Sequence, residues 1–300
     1  MEGQAEELLE EVGAASQIKL SVTSRYIGYR NERGTGGGFL NATASAKERY
    51  YIDGHASYGE DRVLGVFRRN GTPLIAFDAE VRTKAGRVSR FDRLWFIEID
   101  DERAEELRRR VAEKGGQDRA EVITGDVNEV MDRILPQIHP RGPALCVLDP
   151  YDPDDLRFAT IERIARHDAT LRKHKIELLV NLPVGLQHRQ ARDKATGGLR
   201  ENVIRNLELL LGNRRWLPLF EGWSEGKTPW YEVYAAMKAS FIEELKRLGY
   251  QVFWEMDVPP GSPMYALVFA SDHPLARTIM ESAMKDWERD PANPQRPLFG

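Results

Sequence analysis

Tyr51-Ile52-Asp53-Gly54-His55-Ala56-Ser57-Tyr58-Gly59 ends an apolar run in a turn of small residues, and Phe96-Ile97-Glu98-Ile99-Asp100 ends a later apolar run in acid. A strand, a tight turn and an acid closing the next strand outline an adenosine-ligand site in a doubly wound α/β sheet. Gly54 and Gly59 let the backbone come close to a ligand, with Asp53 at the start of the turn. An acid at the strand end accepts hydrogen bonds from ribose hydroxyls, a role for which Glu98 and Asp100 compete. Asp149-Pro150-Tyr151 closes another apolar run and places a carboxylate beside an aromatic ring, although Asp-Pro is also a good turn former. Asn181 closes a further run, where its amide either touches a substrate or satisfies the strand end. His55 is a candidate base, but a loop histidine bonding backbone is the preferred reading. The six histidines and single cysteine show no zinc spacing, so no metal site is expected. A Gly-x-Ser-x-Gly elbow is absent, which argues against a serine hydrolase.

The elements that must position these residues alternate. Strands are expected at Tyr50–Asp53, Leu94–Ile99, Ala120–Thr124, Ala144–Leu148 and Ile176–Val180. Between them, helices are expected over 72–83 (capped by Thr72-Pro73), 101–114 (stopped by Gly115-Gly116), 127–135 and 154–172. Such alternation predicts a mostly parallel sheet with helices on both faces. The continuous apolar run at 144–148 suits a central strand buried on both sides. The end of the chain differs: a helix over 231–247, an antiparallel hairpin from Gln251–Glu255 and Tyr265–Phe269, and a helix over 274–287. Ahead of the first strand, helical patterns over 5–11 and 17–29 and the run Gly34-Thr35-Gly36-Gly37-Gly38 form an arm and loop, 1–44, preceding an α/β domain at 45–300. The glycine run lacks the Lys-Ser/Thr of a phosphate-binding loop and reads as a linker or lid.

Bulk properties narrow the classes. The 300 residues are 41% hydrophobic and 30% charged, with a net charge of −4, which disfavours a protein that coats long duplex DNA. Basic stretches nevertheless occur at 187–192 and 172–175, and Trp216, Trp223 and Trp230 punctuate what reads as a loop-rich region. One cysteine, Cys146, excludes a disulfide framework within the chain, no run is long enough to span a membrane, and the acidic first residues lack a signal-peptide pattern. The expectation is a cytoplasmic protein with no membrane partner.

Five parallel strands with a C-terminal antiparallel pair resemble class I S-adenosylmethionine-dependent methyltransferases. Several separated stretches resemble a narrower family, the three-Cys-motif partner proteins. These are Tyr51-Ile52-Asp53-Gly54, Gly71-Thr72-Pro73-Leu74-Ile75-Ala76, Phe96-Ile97-Glu98 with Arg103-Ala104 and Leu107, Leu148-Asp149-Pro150-Tyr151, and Met264–Ala270 with His273-Pro274 and Met280-Ala283-Met284. The resemblance covers most of the chain from about Arg49. It implies a methyltransferase-like fold and association with a three-cysteine protein similar to radical S-adenosylmethionine proteins; the family's name leaves the reaction open. It selects Glu98 for the ribose. It also offers Asp126 for the adenine amino group, where an ordinary helix cap fits equally well. The turn departs from the family's Phe-Ala-Gly-Pro-Gly: Ser57 and Tyr58 replace a glycine and a proline, and Tyr58 is bulky enough to project over the pocket. Asp149-Pro150-Tyr151 is similar to the Asp-Pro-Pro-Tyr of amino methyltransferases without its second proline. In that motif the acid and a carbonyl orient the target amine while the ring stacks on a base.

The expected function is therefore S-adenosylmethionine-dependent methylation of an amino group on a nucleic acid base or nucleotide. Asp149 and Tyr151 are the catalytic candidates. Asp53, Gly54, Gly59, Glu98 and Asp126 are the cofactor candidates, and Pro150, Asn181 and His55 the substrate ones. Two alternatives stay open: a non-catalytic scaffold that pairs with the three-cysteine protein, and a metal-dependent accessory factor for nucleotides or nucleic acids.

Overall fold

The computed structural model describes residues 10–12, 14–28, 38–63, 67–83, 86–167, 174–193, 198–259 and 263–288. The apolar runs form the strands of the largest sheet, numbered here in chain order: β1 (Tyr50–Asp53), β2 (Arg93–Glu98), β3 (Ala120–Thr124), β4 (Ala144–Leu148), β5 (Glu177–Leu182), β6 (Val252–Val258) and β7 (Tyr265–Ser271). Their order is β1-β2-β3 in the first part of the chain and β6-β7-β5-β4 in the second. β2 is parallel to β1 and β3, β4 is parallel to β5, and β7 is antiparallel to β5 and β6. The fold is the expected α/β class with a mostly parallel sheet and a C-terminal antiparallel pair. The described helices are α1 (Ala14–Ile27), α2 (Gly38–Ala42), α3 (Thr72–Asp78), α4 (Asp101–Glu113), α5 (Val127–Ile134), α6 (Phe158–Arg166), α7 (Glu201–Leu211), α8 (Leu217–Ser224), α9 (Trp230–Arg247) and α10 (Pro274–Glu288).

The chain falls into two compact units, 1–126 with 278–300, and 127–277. In the first unit, Leu94, Trp95, Phe96 and Ile97 of β2 are almost wholly buried, each such side chain contributing about 1.5–3 kcal/mol. Asp100 caps α4, its carboxylate accepting from Arg103 N–H at 2.9 Å. At the other end Gly115, at φ 66°, turns the chain out of α4, and Gly116 N–H donates to the Val111 carbonyl. In the second unit every residue of β4 is buried, as its unbroken apolar character requires, and every residue of β5 is buried too, with Glu177 accepting the Ser271 hydroxyl at 3.0 Å.

Several expectations need correction. The predicted helix over 72–83 stops at Asp78, because Val81–Arg82 pairs with Val88–Ser89 as a two-stranded ribbon. Gly71 rather than Thr72 occupies its N-cap. Of the helix predicted over 154–172, the described part is Phe158–Arg166, and 168–172 lie outside the described residues; Asp155 takes the Asp152 N–H and Asn128 takes the Arg157 N–H, which holds 152–157 as a loop. Glu60–Val63 and Phe67–Asn70 form an antiparallel pair that charge-rich sequence conceals, and Glu10–Val12, expected within a helix, adds to it as a parallel strand. The segment holding Trp216, Trp223 and Trp230 is largely helical. Gly38, the last residue of the predicted glycine loop at 34–38, opens α2; the rest of that loop, the rest of the first acidic helix at 5–9 and the hairpin turn at 260–262 lie outside the described residues.

Candidate active site

The turn after β1 is built from inside. Asp53 is fully buried; its Oδ2 accepts the Tyr51 hydroxyl at 3.1 Å and its Oδ1 accepts His55 N–H at 3.3 Å. Asp53 therefore shapes the loop. Ala56 N–H donates to the Ile97 carbonyl at 2.9 Å, tying the turn to β2. Ser57 sits at φ 49°, a left-handed conformation that costs a non-glycine residue about 1–2 kcal/mol. That conformation aims Ser57 N–H at Glu98 Oε2, 2.7 Å away. Glu98 Oε1 accepts Asp100 N–H at 3.0 Å, and the residue is 6% exposed. A carboxylate offers about four acceptor positions, so these two bonds fix the group and leave capacity for a ligand's hydroxyls. The next residue, Ile99, is 71% exposed, an aliphatic face presented to solvent directly after the acid. Gly54 is buried in the turn. Gly59 sits at φ 77°, where any side chain is strained, and a Cβ there would stand 2.5 Å from Leu107 Cδ1, which would have to shift. Gly125 N–H donates to the Glu98 carbonyl at 2.9 Å, and half-buried Asp126 follows it.

Tyr58 is positioned by two arginines of α4. The Arg103 guanidinium lies 5.3 Å from the Tyr58 ring centroid, and Arg110 Nη1 donates to the Tyr58 carbonyl at 2.8 Å. Arg110 is 3% exposed and pairs with Glu106 at 2.8 Å and Glu60 at 3.5 Å. A hydrogen bond from the Arg109 side chain, followed by the Arg110 and Arg109 charges and opposed by burial, holds the Glu106 carboxyl below the usual carboxylate range. Where the resemblance expects glycine and proline to set the turn, this chain uses a clamp from the neighbouring helix. Sequence reading missed Arg110 because Tyr58 and Arg110 are brought together only by tertiary structure; an arginine on the apolar stripe with Leu107 and Val111 was the available signal.

In the second unit, β4 and β5 run in register with Leu148 opposite Val180, so Asp149 and Asn181 meet just beyond. Asn181 Nδ2 donates to Asp149 Oδ1 at 2.7 Å. Only the amide NH2 can face a carboxylate, which leaves Asn181 Oδ1 on the other side. That oxygen is buried and accepts from no group among the described residues, although Asn181 is only 8% exposed. Pro150 is buried, while Tyr151 is 87% exposed. The loop carrying them is anchored by Asn128 of α5: its Nδ2 donates to the Asp155 carbonyl at 3.0 Å, and its Oδ1 accepts Arg157 N–H at 2.9 Å and the Thr160 hydroxyl at 2.8 Å. Burial first, then Asp155 and Asp154, push the Asp152 carboxyl above its ordinary value. Of the basic group at 172–175, His174 lies 3.6 Å from Asp272 and Lys175 bonds Asp272 and the Ala165 carbonyl; 172 and 173 lie outside the described residues.

Among the described residues no three His, Cys, Asp or Glu groups gather as a metal site, and no helix is long and apolar enough to cross a membrane. By sequence, no family model matches the chain and no curated protein is similar to it. Solved structures with similar folds include methyltransferases. The delta-N METTL16 MTase domain is 12% identical, with a TM-score of 0.42 over 87% of this chain and 83% of that one. The methyltransferase domain of bacterial CtHen1-C is 11% identical, with a TM-score of 0.38 over 77% and 93%. A putative caffeoyl-CoA O-methyltransferase from Staphylococcus aureus is 9% identical, with a TM-score of 0.37 over 76% and 78%.

Proposed function

We propose that the protein is an S-adenosylmethionine-dependent methyltransferase acting on an amino group of a nucleobase. The observation that carries the reading is the Asp149–Asn181 pair: a half-buried acid held by an amide at the ends of two adjacent strands. The acid accepts an N–H of the target amine and so orients its lone pair. Exposed Tyr151 offers a flat face for the base, contributing about 1–3 kcal/mol by stacking. Glu98 and the Gly54–Gly59 turn fit the adenosyl group: the acid retains acceptor capacity for ribose hydroxyls, Ile99 offers an apolar face to adenine, and Asp126 follows β3 where the adenine amino group needs a partner. The bound cofactor supplies an activated methyl, so alignment of the amine outweighs acid–base assistance. His55 holds the turn through its backbone and has no part in proton transfer in this reading.

Association with a three-cysteine protein belongs to the same proposal and is supported by the sequence resemblance alone. The test is transfer of labelled methyl from S-adenosylmethionine to adenine- and cytosine-containing nucleosides and oligonucleotides. Asp149→Ala is expected to abolish transfer and leave cofactor affinity within a few-fold. Equal loss of both contradicts this division of roles, and full cofactor affinity with no transfer to any amine supports a scaffold instead.

A further inference from the structure

The second unit carries an aromatic surface that the amine-orienting pair does not use. Trp223 of α8 stacks on Phe220 with ring centroids 5.7 Å apart and an interplanar angle of 10°. Trp230 meets Trp223 edge-on at 5.4 Å, and His188 tilts against Trp230 at 4.8 Å. A tryptophan that merely pins helices together is buried, as Trp216 is, with its Nε1 donating to the Asn213 carbonyl. Trp223, Trp230 and His188 are only half-buried. Two of their polar edges are engaged: Trp230 Nε1 donates to the Gly185 carbonyl at 2.9 Å, and His188 Nδ1 lies 3.2 Å from the same oxygen. Gly185 itself is pressed against Met264, with its N–H on the Met264 carbonyl and no room for a Cβ. The cluster is thus fixed to the loop that leaves β5 shortly after Asn181.

Two exposed arginines, Arg189 and Arg192, adjoin this surface, and the helices that carry the two tryptophans also present the exposed acids Glu221 and Glu232. The Arg192 guanidinium lies 4.8 Å from the Trp223 ring centroid and donates to the Trp223 and Ser224 carbonyls, and Arg189 is exposed. Glu225, at the end of α8, is already paired with Lys227. Aromatic faces flanked by arginines match a strand of alternating flat bases and anionic phosphates.

We infer that His188, Trp223 and Trp230, with Arg189 and Arg192, form a stacking site for single-stranded nucleic acid, which makes the substrate a polymer rather than a free nucleotide. The inference deepens the acceptor reading above and rests on it for the substrate's role, but the binding it requires is measured without cofactor. The experiment is fluorescence anisotropy of 12-nucleotide single strands, RNA and DNA in separate arms, over a salt series. A mononucleotide and a duplex of the same sequence serve as competitors. The single strand is expected to bind more tightly than either competitor, with a log–log salt slope of about −0.7 for each phosphate held. Trp223→Ala is expected to weaken binding about ten-fold or more. Exposed Arg189→Glu, which keeps the test valid if the tryptophan variant unfolds, is expected to weaken it several-fold and flatten the slope. Binding no tighter than the mononucleotide, equal binding of duplex, no binding at all, or unchanged binding by both variants overturns the inference. Because no S-adenosylmethionine is present, such a failure is separate from failure of the methyltransferase reading.

Discussion

Arg110→Met should unsettle the turn after β1 although Arg110 itself lies on α4. Methionine keeps most of the apolar length and removes the charge. Arg110 is 3% exposed, and its two carboxylate partners have side chains 11% and 13% exposed, so the loss strands charge in a poorly solvated place. Breaking a buried pair in this way costs about 3–5 kcal/mol. Glu106 keeps Arg109 at 2.7 Å, so the lower end, about 3 kcal/mol, is expected. The Tyr58 carbonyl also loses its 2.8 Å donor, which should loosen the turn and weaken S-adenosylhomocysteine binding several-fold. The pH dependence carries a sign. Glu106 is held below its ordinary value in the folded protein, so its contribution is present above the unfolded value of about 4.3 and is lost as pH falls through the folded one. Removal of Arg110 takes away part of that contribution. The gap between wild type and variant should be full above about pH 5 and shrink in more acid solution. Urea unfolding from pH 7 down to pH 3 reads it. A loss below about 1 kcal/mol, or a gap that persists in acid, refutes the role assigned to the clamp.

Two further outcomes follow from the second unit. Asn128→Ala leaves an Asp155 carbonyl, an Arg157 N–H and a Thr160 hydroxyl without their partner, so urea unfolding should show a loss of about 2–4 kcal/mol, and methyl transfer should fall further than cofactor affinity. Asp152→Asn should stabilise by about 0.5 kcal/mol near neutrality and not at pH 3. Burial and the neighbouring acids raise the Asp152 value in the folded state, so stability is full below the unfolded value and declines as pH rises through the folded one. Urea midpoints of both proteins at the two pH values check this.

The strands were legible because their chemistry is local. Ala144–Leu148 is apolar without interruption, and a strand buried on both faces has no other way to read. Glu98 and Asp149 were findable for the same reason, since each sits at or just beyond the end of such a run. What stayed hidden depends on contacts between distant segments. The Glu60–Val63 and Phe67–Asn70 pair is rich in charge, and no alternation of apolar and polar residues marks it. The helical pattern at 154–157 was real in sequence but lost to Asn128, whose amide captures the backbone of that loop. Tyr58 was suspect as a bulky residue in a turn. Only tertiary structure shows its ring beside Arg103 and its carbonyl on Arg110. Glu98 faces inward onto Ser57 N–H, a geometry that no spacing rule specifies.

The central claim is that the turn after β1 and the acid ending β2 hold an adenosyl group. Calorimetric titration with S-adenosylmethionine and S-adenosylhomocysteine tests it most directly, on the wild type and on Glu98→Ala checked for folding by circular dichroism. The account predicts one binding site per chain and a loss of about ten-fold or more in the variant, the worth of a charge-assisted hydrogen bond. No binding of either ligand to the wild type, or equal affinity in a folded Glu98→Ala protein, contradicts it.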